Sequence, residues 1–216
     1  MINQFCKRYF FVASILFFYL SINSFASEKS SQKLLTENFQ DLQLIESYLN
    51  NISTLSAKFT QKSEEGGAGE GKFFLSRSSD SSGKMRVEYL AQPKVVIVVN
   101  GSILSYLDVE LDELSHLSTN TTPASFLTRP NISFSAKDVE LTDVKKFDDK
   151  IKVSVMKKNR KEAGEFSLVF KANPLQFIKM EVKNDLGQVV QVTLSSIDLT
   201  TPIPNHLFVI KNKILP

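Results

Sequence analysis

The sequence predicts a mainly β protein: one large, curved antiparallel sheet with a helix across its concave side. Three observations support this prediction. Apolar residues at helical spacing are clear only once, near residue 45. After that, apolar and polar residues alternate in about ten short runs, as in strands with one buried face. Short turns such as Asn100-Gly101 join these runs, and this favours antiparallel pairing because parallel strands need crossover helices.

The first 26 residues resemble an export signal. Lys7 and Arg8 precede the apolar run 9–20, which has the length of a signal-peptide core and is short for a membrane span. Residues 24–26 (Ser-Phe-Ala) then provide a small-x-small cleavage site. An uncleaved membrane anchor is the alternative. We predict a cleaved signal peptide at 1–26, one domain at 27–216, and a soluble, exported mature protein.

Composition excludes several classes of protein for the predicted mature domain. Cleavage removes two cations and no acid, so the formal net charge falls from +3 to +1 and gives no reason to expect nucleic-acid binding. The chain has 1 Cys and 2 His, too few for a disulfide framework or a Cys/His zinc site. Cys6, the single cysteine, lies inside the predicted signal peptide.

The mature domain is predicted to begin with a polar, frayed stretch at 27–37 and to continue with an amphipathic helix. Leu42, Ile45 and Leu49 form one apolar face of that helix. Residues 108–129 are less regular, although Thr122-Pro123 fits the start of a short helix. The predicted strands lie near 55–60, 72–77, 85–89, 95–99, 103–107, 138–147, 150–156, 166–170, 178–182, 190–194 and 207–210. A sheet this long must curl or split into two layers.

The chain has few side chains of the types that usually catalyse reactions. His116 and His206 are far apart in sequence, and neither lies in a catalytic or metal-binding spacing. The glycines at 66–71 lack the Lys-Ser/Thr ending of a phosphate loop. The sequence contains no G-x-S-x-G elbow. We therefore predict that the protein is not an enzyme and needs no cofactor or metal.

Two features remain open to a binding function. The basic cluster at 157–161 (KKNRK) is placed at a hairpin tip, where it is either simply solvated or able to contact an anionic surface or an acidic partner. The mature domain also keeps eleven of the 17 Phe residues. These are either ordinary core or the walls of a cavity for an apolar ligand, because the chain supplies little helix to fill a curved sheet.

A series of motifs in fixed order resembles the periplasmic lipoprotein carrier family, the LolA-type proteins. They are Leu55–Gln61 (LSAKFTQ) after an amphipathic helix, Gly71–Arg77 (GKFFLSR), Met85–Tyr89 (MRVEY), Asn100-Gly101, Tyr106–Asp108, and Thr122-Pro123 with Phe126-Leu127. The resemblance is good over residues 40 to 130 and rests on pattern alone beyond that. It implies a half-open, incomplete β-barrel whose concave face is covered by helices.

The resemblance also implies a function. Such a protein would carry the acyl chains of lipoproteins through the periplasm of a Gram-negative envelope. An inner-membrane lipoprotein-releasing ABC transporter would load it, and an outer-membrane lipoprotein receptor would unload it. We expect a monomer. The alternative is a module of the same fold that binds or senses lipids or glycolipids and is not dedicated to lipoproteins.

The family's functional positions can be carried over to this chain. Arg77 matches the arginine that hydrogen-bonds the helical lid and holds it shut, although Ser78 stands where the family usually has proline. Met85 and Val87 replace wall aromatics, and the chain has no Trp, which predicts a more adaptable wall. The expected acyl-chain cavity consists of Leu42, Ile45, Leu49, Phe59, Phe73, Leu75, Met85, Val87, Tyr89, Tyr106, Phe126 and Leu127.

Overall fold

The computed structural model describes residues 24–78, 81–119 and 122–210. The predicted signal peptide lies outside the described residues except for positions 24–26, which belong to the first helix. The division into signal peptide and mature domain stays a prediction.

Eleven strands form one antiparallel sheet, as the alternating sequence pattern predicted. The strands are β1 (Thr54–Ser63), β2 (Ala68–Ser78), β3 (Ser81–Tyr89), β4 (Val95–Asn100), β5 (Ile103–Asp108), β6 (Glu113–Ser118), β7 (Val139–Phe147), β8 (Lys150–Lys157), β9 (Glu165–Ala172), β10 (Leu175–Lys183) and β11 (Val189–Asp198). Their spatial order is β6-β5-β4-β3-β2-β1-β11-β10-β9-β8-β7.

The first and last strands meet in the middle of the sheet. β1 pairs with β2 on one side and with β11 on the other, and hairpins extend outward in both directions. The edge strands β6 and β7 are not neighbours, so the sheet is not closed. Of the chain between them, residues 122–138 lie across the concave face, where Phe126, Leu127 and Phe134 join the apolar cluster.

Within the described residues, two α-helices precede the sheet and three short 3₁₀ helices interrupt the loops. The α-helices are α1 (Ser24–Glu37) and α2 (Phe39–Asn51), and the 3₁₀ helices are η1 (Pro123–Phe126), η2 (Lys161–Ala163) and η3 (Asn205–Phe208). The predicted apolar face of α2 is correct, because Leu42, Ile45 and Leu49 are its buried residues. Among the described helices, none is long and apolar enough to cross a membrane.

The prediction of a frayed start was wrong, because residues 27–37 lie within α1. The buried hydroxyl oxygen of Ser31 accepts a hydrogen bond of 3.0 Å from the backbone N–H of Leu141 on β7. Leu34 and Leu35 pack against the core. α1 thus covers the edge strand β7, and edge strands need such protection. Contact with distant residues stabilises a helix that its own weak apolar periodicity did not reveal.

Two further expectations were wrong. The stretch 108–129 was expected to be irregular, but β6 lies within it. The strand was hard to recognise because it is largely exposed and its two leucines, Leu114 and Leu117, are three positions apart and face opposite sides. The expected last strand is instead η3, which places Phe208, only 1% exposed, on the convex side. The carbonyl of Leu207 accepts a hydrogen bond from Arg86 Nη1 at 2.9 Å. This bond comes from a side chain, whereas a strand would receive it from the backbone of its neighbour.

Candidate functional site

Two pieces of chain cover the concave face, and hydrogen bonds join them. These pieces are α2 and residues 122–138, and together we call them the lid. The Asn50 side chain donates to the carbonyl of Ile132 at 2.9 Å and accepts from its N–H at 2.8 Å. Glu46 accepts from the N–H of Phe134 at 2.6 Å and from the hydroxyl of Ser133 at 3.0 Å. Four hydrogen bonds thus tie the two parts of the lid together.

Arg77 on β2 connects the sheet to both parts of the lid. Its guanidinium donates through Nη1 to the carbonyl of Leu49 at the end of α2. Through Nη2 it donates to Asn50 Oδ1 at 3.2 Å, to the carbonyl of Arg129 at 2.7 Å and to the carbonyl of Pro130 at 3.2 Å. One buried cation therefore bonds groups that lie 27 to 53 positions away in sequence.

Closing the lid on Arg77 also has a cost. Arg77 is only 9% exposed, and burial lowers the pKa of its guanidinium. Within the part of the chain that the structure describes, its Nε is the one buried side-chain nitrogen or oxygen without a hydrogen-bond partner. An unpaired buried donor destabilises by about 1–3 kcal/mol. The stabilisation from the bonds to the lid is therefore partly offset by the buried, unpaired Nε.

The remaining contacts between lid and sheet are both polar and apolar. Tyr48 of α2 accepts a hydrogen bond from the N–H of Phe177 at 3.1 Å, and Asp41 of α2 pairs with Lys146 at 2.5 Å. The Phe126 ring packs edge-on against Phe166 of β9, with centroids 6.4 Å apart, and stacks on Phe134 at 5.7 Å. The N–H of Gly83 on β3 donates to the carbonyl of Thr128 at 2.6 Å. Both kinds of contact hold the lid against the sheet in this arrangement.

The twelve predicted cavity residues all lie in one apolar cluster. Nine of them are buried, and Val87, Tyr89 and Tyr106 are partly buried against the others. The sheet supplies seven of the twelve and the lid supplies five. The structure thus brings the predicted residues together, and their role in binding an acyl chain stays a prediction.

The concave side is filled in this closed arrangement. Phe59, Phe73 and Leu75 are each at most 2% exposed beneath the lid. A cavity of about 30 Å³ lies beside Phe126, which is room for about one water molecule. The apolar residues expected to line a cavity therefore contact one another in this arrangement. An acyl chain could enter only if the lid moved away from the sheet.

Tyr89 at the wall of this cluster has a shifted acidity. Its hydroxyl donates to Gln61 Oε1 at 2.5 Å, and its ring lies edge-on to Phe59 at 5.2 Å. Burial, with a smaller contribution from neighbouring Tyr106, raises the pKa of Tyr89 to about 12.

This shift predicts a pH dependence of stability. A raised pKa in the folded state stabilises the fold below pH 10 and ceases to do so as the pH rises from about 10 to about 12. We expect the native chain to lose about 2 kcal/mol more than Tyr89→Phe over this interval. Free energies of unfolding in urea at stepped pH would measure the difference. Parallel decline of the two proteins would contradict it.

Asn50 offers a test of the connection within the lid. Asn50→Ala removes both hydrogen bonds to Ile132, and we expect local opening of residues 129–134 to become easier by about 2 kcal/mol. Amide hydrogen exchange at Ile132 and Phe134 measures this opening. Gln43→Ala, on an exposed position of the same helix, is the matched control and should leave the exchange rates unchanged. Unchanged exchange in Asn50→Ala would show that the bonds do not hold the segment.

Sequence reasoning missed Glu46 and Asn50 as functional candidates. Both lie on the polar side of α2, where polar residues ordinarily face solvent. Their partners are 82 to 88 positions away, and no local pattern connects them. A carboxylate and an amide one helical turn apart, next to the apolar face, were the available signal.

Comparison with known families places this fold and lid in a group. Residues 50–211 match the family model described as outer membrane lipoprotein carrier protein LolA. The chain belongs to the LolA family. The matched range includes Asn50, Arg77 and residues 122–138 of the lid. Membership in the LolA family supports a lipoprotein-carrier-like or lipid-binding module of the periplasm.

Individual relatives are distant in sequence. The chain is 23% identical over 183 residues to the uncharacterized protein RP864 of Rickettsia prowazekii (strain Madrid E), covering 85% of this chain and 82% of that protein. It is similar in structure to a putative outer membrane lipoprotein-sorting protein domain from Vibrio parahaemolyticus, with a TM-score of 0.50 and 8% identity over 82% of this chain and 97% of that one. An uncharacterized conserved protein from Thermus thermophilus has a TM-score of 0.49 and 9% identity, with 82% and 96% covered. At such identities the likeness to the Vibrio domain shows the fold alone.

Proposed function

We propose that this protein is a periplasmic carrier that shields lipoprotein acyl chains between the inner and outer membranes. An inner-membrane ABC transporter would load it, and an outer-membrane receptor would unload it. The observation that carries the proposal is the buried guanidinium of Arg77, which bonds both parts of the lid over a cluster of apolar side chains. The LolA family match supports the same function.

In the closed arrangement the apolar side chains of the lid and the sheet contact one another. When the lid lifts from β2 and β3, the chains of a lipoprotein take the place of the contacts that Phe126 and Leu127 make with the sheet. Each buried CH₂ contributes about 0.8 kcal/mol.

Release requires that most of this energy be offset. The open lid loses the hydrogen bonds of Arg77 and exposes its own apolar face, so loading costs free energy that unloading returns. Arg77 donates to four acceptors on the lid, three of them through Nη2, and a charge-assisted hydrogen bond contributes about 1.5–3 kcal/mol. The carrier can thus hold cargo and still deliver it to a receptor that binds the cargo more tightly.

A second candidate is a carrier or sensor of other acyl-chain lipids. Met85 and Val87 form the wall on β3, where the resemblance leads us to expect aromatic side chains. Thioether and small aliphatic side chains adapt to different shapes. This observation favours a less selective face, so lipoproteins and other lipids need to be compared directly.

The decisive experiment uses the mature chain, residues 27–216, with spheroplasts that synthesise labelled lipoproteins. We expect labelled lipoproteins to appear in the soluble fraction in a one-to-one complex with the protein. Labelled phospholipid in that complex, with no lipoprotein, would favour the second candidate. Neither lipid in the complex would contradict both.

A reversible lock supplies the matched control. The N–H of Gly83 donates to the carbonyl of Thr128 at 2.6 Å, so Gly83→Cys and Thr128→Cys would place one thiol on the sheet and one on the facing part of the lid. No other cysteine is present in residues 27–216. We expect the oxidised double variant to release no lipoprotein and the reduced form to regain activity. Equal release by both forms would show that the lid does not open for cargo.

A further inference from the structure

The small cavity beside the lid has an apolar floor. Phe126 of the lid and Val139, Val155 and Phe166 of the sheet line it, and each is at most 5% exposed. The cavity lies where β7 begins and β8 ends, at the rim of the sheet. It is therefore a narrow apolar slot between the lid and the sheet, and its volume of about 30 Å³ can grow only as the lid lifts.

Charged side chains surround the open end of the slot. Arg129 of the lid forms a two-point ion pair with Asp138, with Nη1–Oδ1 at 3.1 Å and Nη2–Oδ2 at 2.5 Å. The guanidinium also lies 5.4 Å from the centre of the Phe126 ring. Asp138 is 50% exposed, so this pair stands at the boundary with solvent. Lys157, across from Val139 at the end of β8, lines the same cavity.

Positive charge outweighs negative charge at this opening. The loop after β8 adds Lys158, Arg160 and Lys161 next to Lys157, with the acid Glu162 directly after them, and Lys161 pairs with Glu140 at 3.5 Å. Burial lowers the pKa of Lys157, and the nearby charges of Arg129 and Arg160 lower it further against the opposing effect of Asp138. Cations that repel one another next to an apolar slot attract an anion with an apolar tail.

We propose that this opening binds the anionic headgroup of an acyl-chain lipid, with the chain entering the slot beneath Phe126. The recognised chemistry is one phosphate or carboxylate group joined to an alkyl chain. Lys157 and Arg160 supply the attraction from the sheet, and Arg129 stays paired with Asp138 on the lid. The inference rests on the proposed function, since a chain must enter beneath the lid, and it adds selection by charge.

The test compares soluble amphiphiles that have the same chain and different headgroups, by isothermal titration calorimetry with the mature chain. Decanoate is compared with decanol, and dihexanoyl phosphatidylglycerol with dihexanoyl phosphatidylcholine, all below their micellar concentrations. We expect at least one anionic member to bind about fivefold more tightly than its partner at low salt, with a smaller difference at high salt. A preference within the decanoate–decanol pair would identify a carboxylate as the recognised group, and a preference within the phospholipid pair would identify a phosphodiester.

Variants separate the headgroup from the chain. Lys157→Gln with Arg160→Gln should remove the preference and leave decanol binding unchanged, while Lys72→Gln, an exposed lysine on β2, should change neither. Ala163→Leu, at the edge of the slot, should weaken all four ligands together. Equal binding of anionic and uncharged amphiphiles would overturn the headgroup site and leave the carrier function standing. If no amphiphile bound at all, both proposals would fail.

Discussion

Arg77→Leu is expected to load lipoprotein normally and to retain it. The substitution removes the donors that the carbonyls of Leu49, Arg129 and Pro130 use in the closed lid. We expect the closed state to lose about 3 kcal/mol relative to the open state. Because cargo binds the open state, a less stable closed state lowers the free energy that opening requires. The net affinity for cargo then rises on the order of a hundredfold.

Transfer from the purified complex to acceptor membranes measures this effect. Arg86→Leu is the matched control, because Arg86 lies on the next strand and bonds Glu88 and the carbonyl of Leu207, away from the lid. We expect Arg86→Leu to unload at the normal rate. Normal unloading by Arg77→Leu would contradict the role of Arg77 as a latch.

Gly71→Ala is expected to have the largest effect on stability. A Cβ at Gly71 would lie 1.9 Å from the carbonyl oxygen of Glu88 and 2.6 Å from the ring of Phe59. Gly71 pairs with Phe59 on β1 and with Tyr89 on β3, so the added methyl group has backbone on one side and a buried ring on the other. We expect the free energy of unfolding to fall by about 3 kcal/mol or more. Urea unfolding measures it.

Gly101→Ala is the control for this change. Gly101 has a φ of +62° in the β4–β5 turn, and a Cβ there would meet nothing within 4 Å. Only the left-handed backbone opposes alanine, at about 1–2 kcal/mol. If Gly71→Ala destabilised the protein no more than Gly101→Ala, strands β2 and β3 would have to separate more easily than the structure indicates.

Regular alternation made the first five strands predictable. Residues 55–60 alternate between the concave and convex faces, and the Asn100-Gly101 signal correctly predicted a hairpin between β4 and β5, although Asn100 pairs with Ile103 and the turn residues are Gly101 and Ser102. Leu42, Ile45 and Leu49 were equally readable, because a helix buries residues three and four positions apart. The order of motifs also indicated that Arg77 faces a lid, although spacing alone could not identify its four acceptors.

Elements with mixed exposure could not be predicted in this way. α1 is mostly polar and is stabilised by contact with β7, while β6 is an exposed edge strand with little alternation. Asn50 is the kind of polar residue that usually occupies a solvent-exposed helix position. Its bonds to Ile132 can be recognised only in the folded lid. The sequence also could not predict that the concave side is filled, because this depends on how closely the lid approaches the sheet.

The sequence by itself determined the β architecture, the apolar face of α2 and the apolar residues of the cluster, since these follow from local periodicity. The tertiary structure alone decided that β1 pairs with β11, as between Ser63 and Val190, and that the β6–β7 connection crosses the concave face. Such pairings join distant parts of the chain and are selected by burial of one shared core. The lid bonds to Arg77 because folding onto this shared core brings α2, residues 122–138 and β2 together.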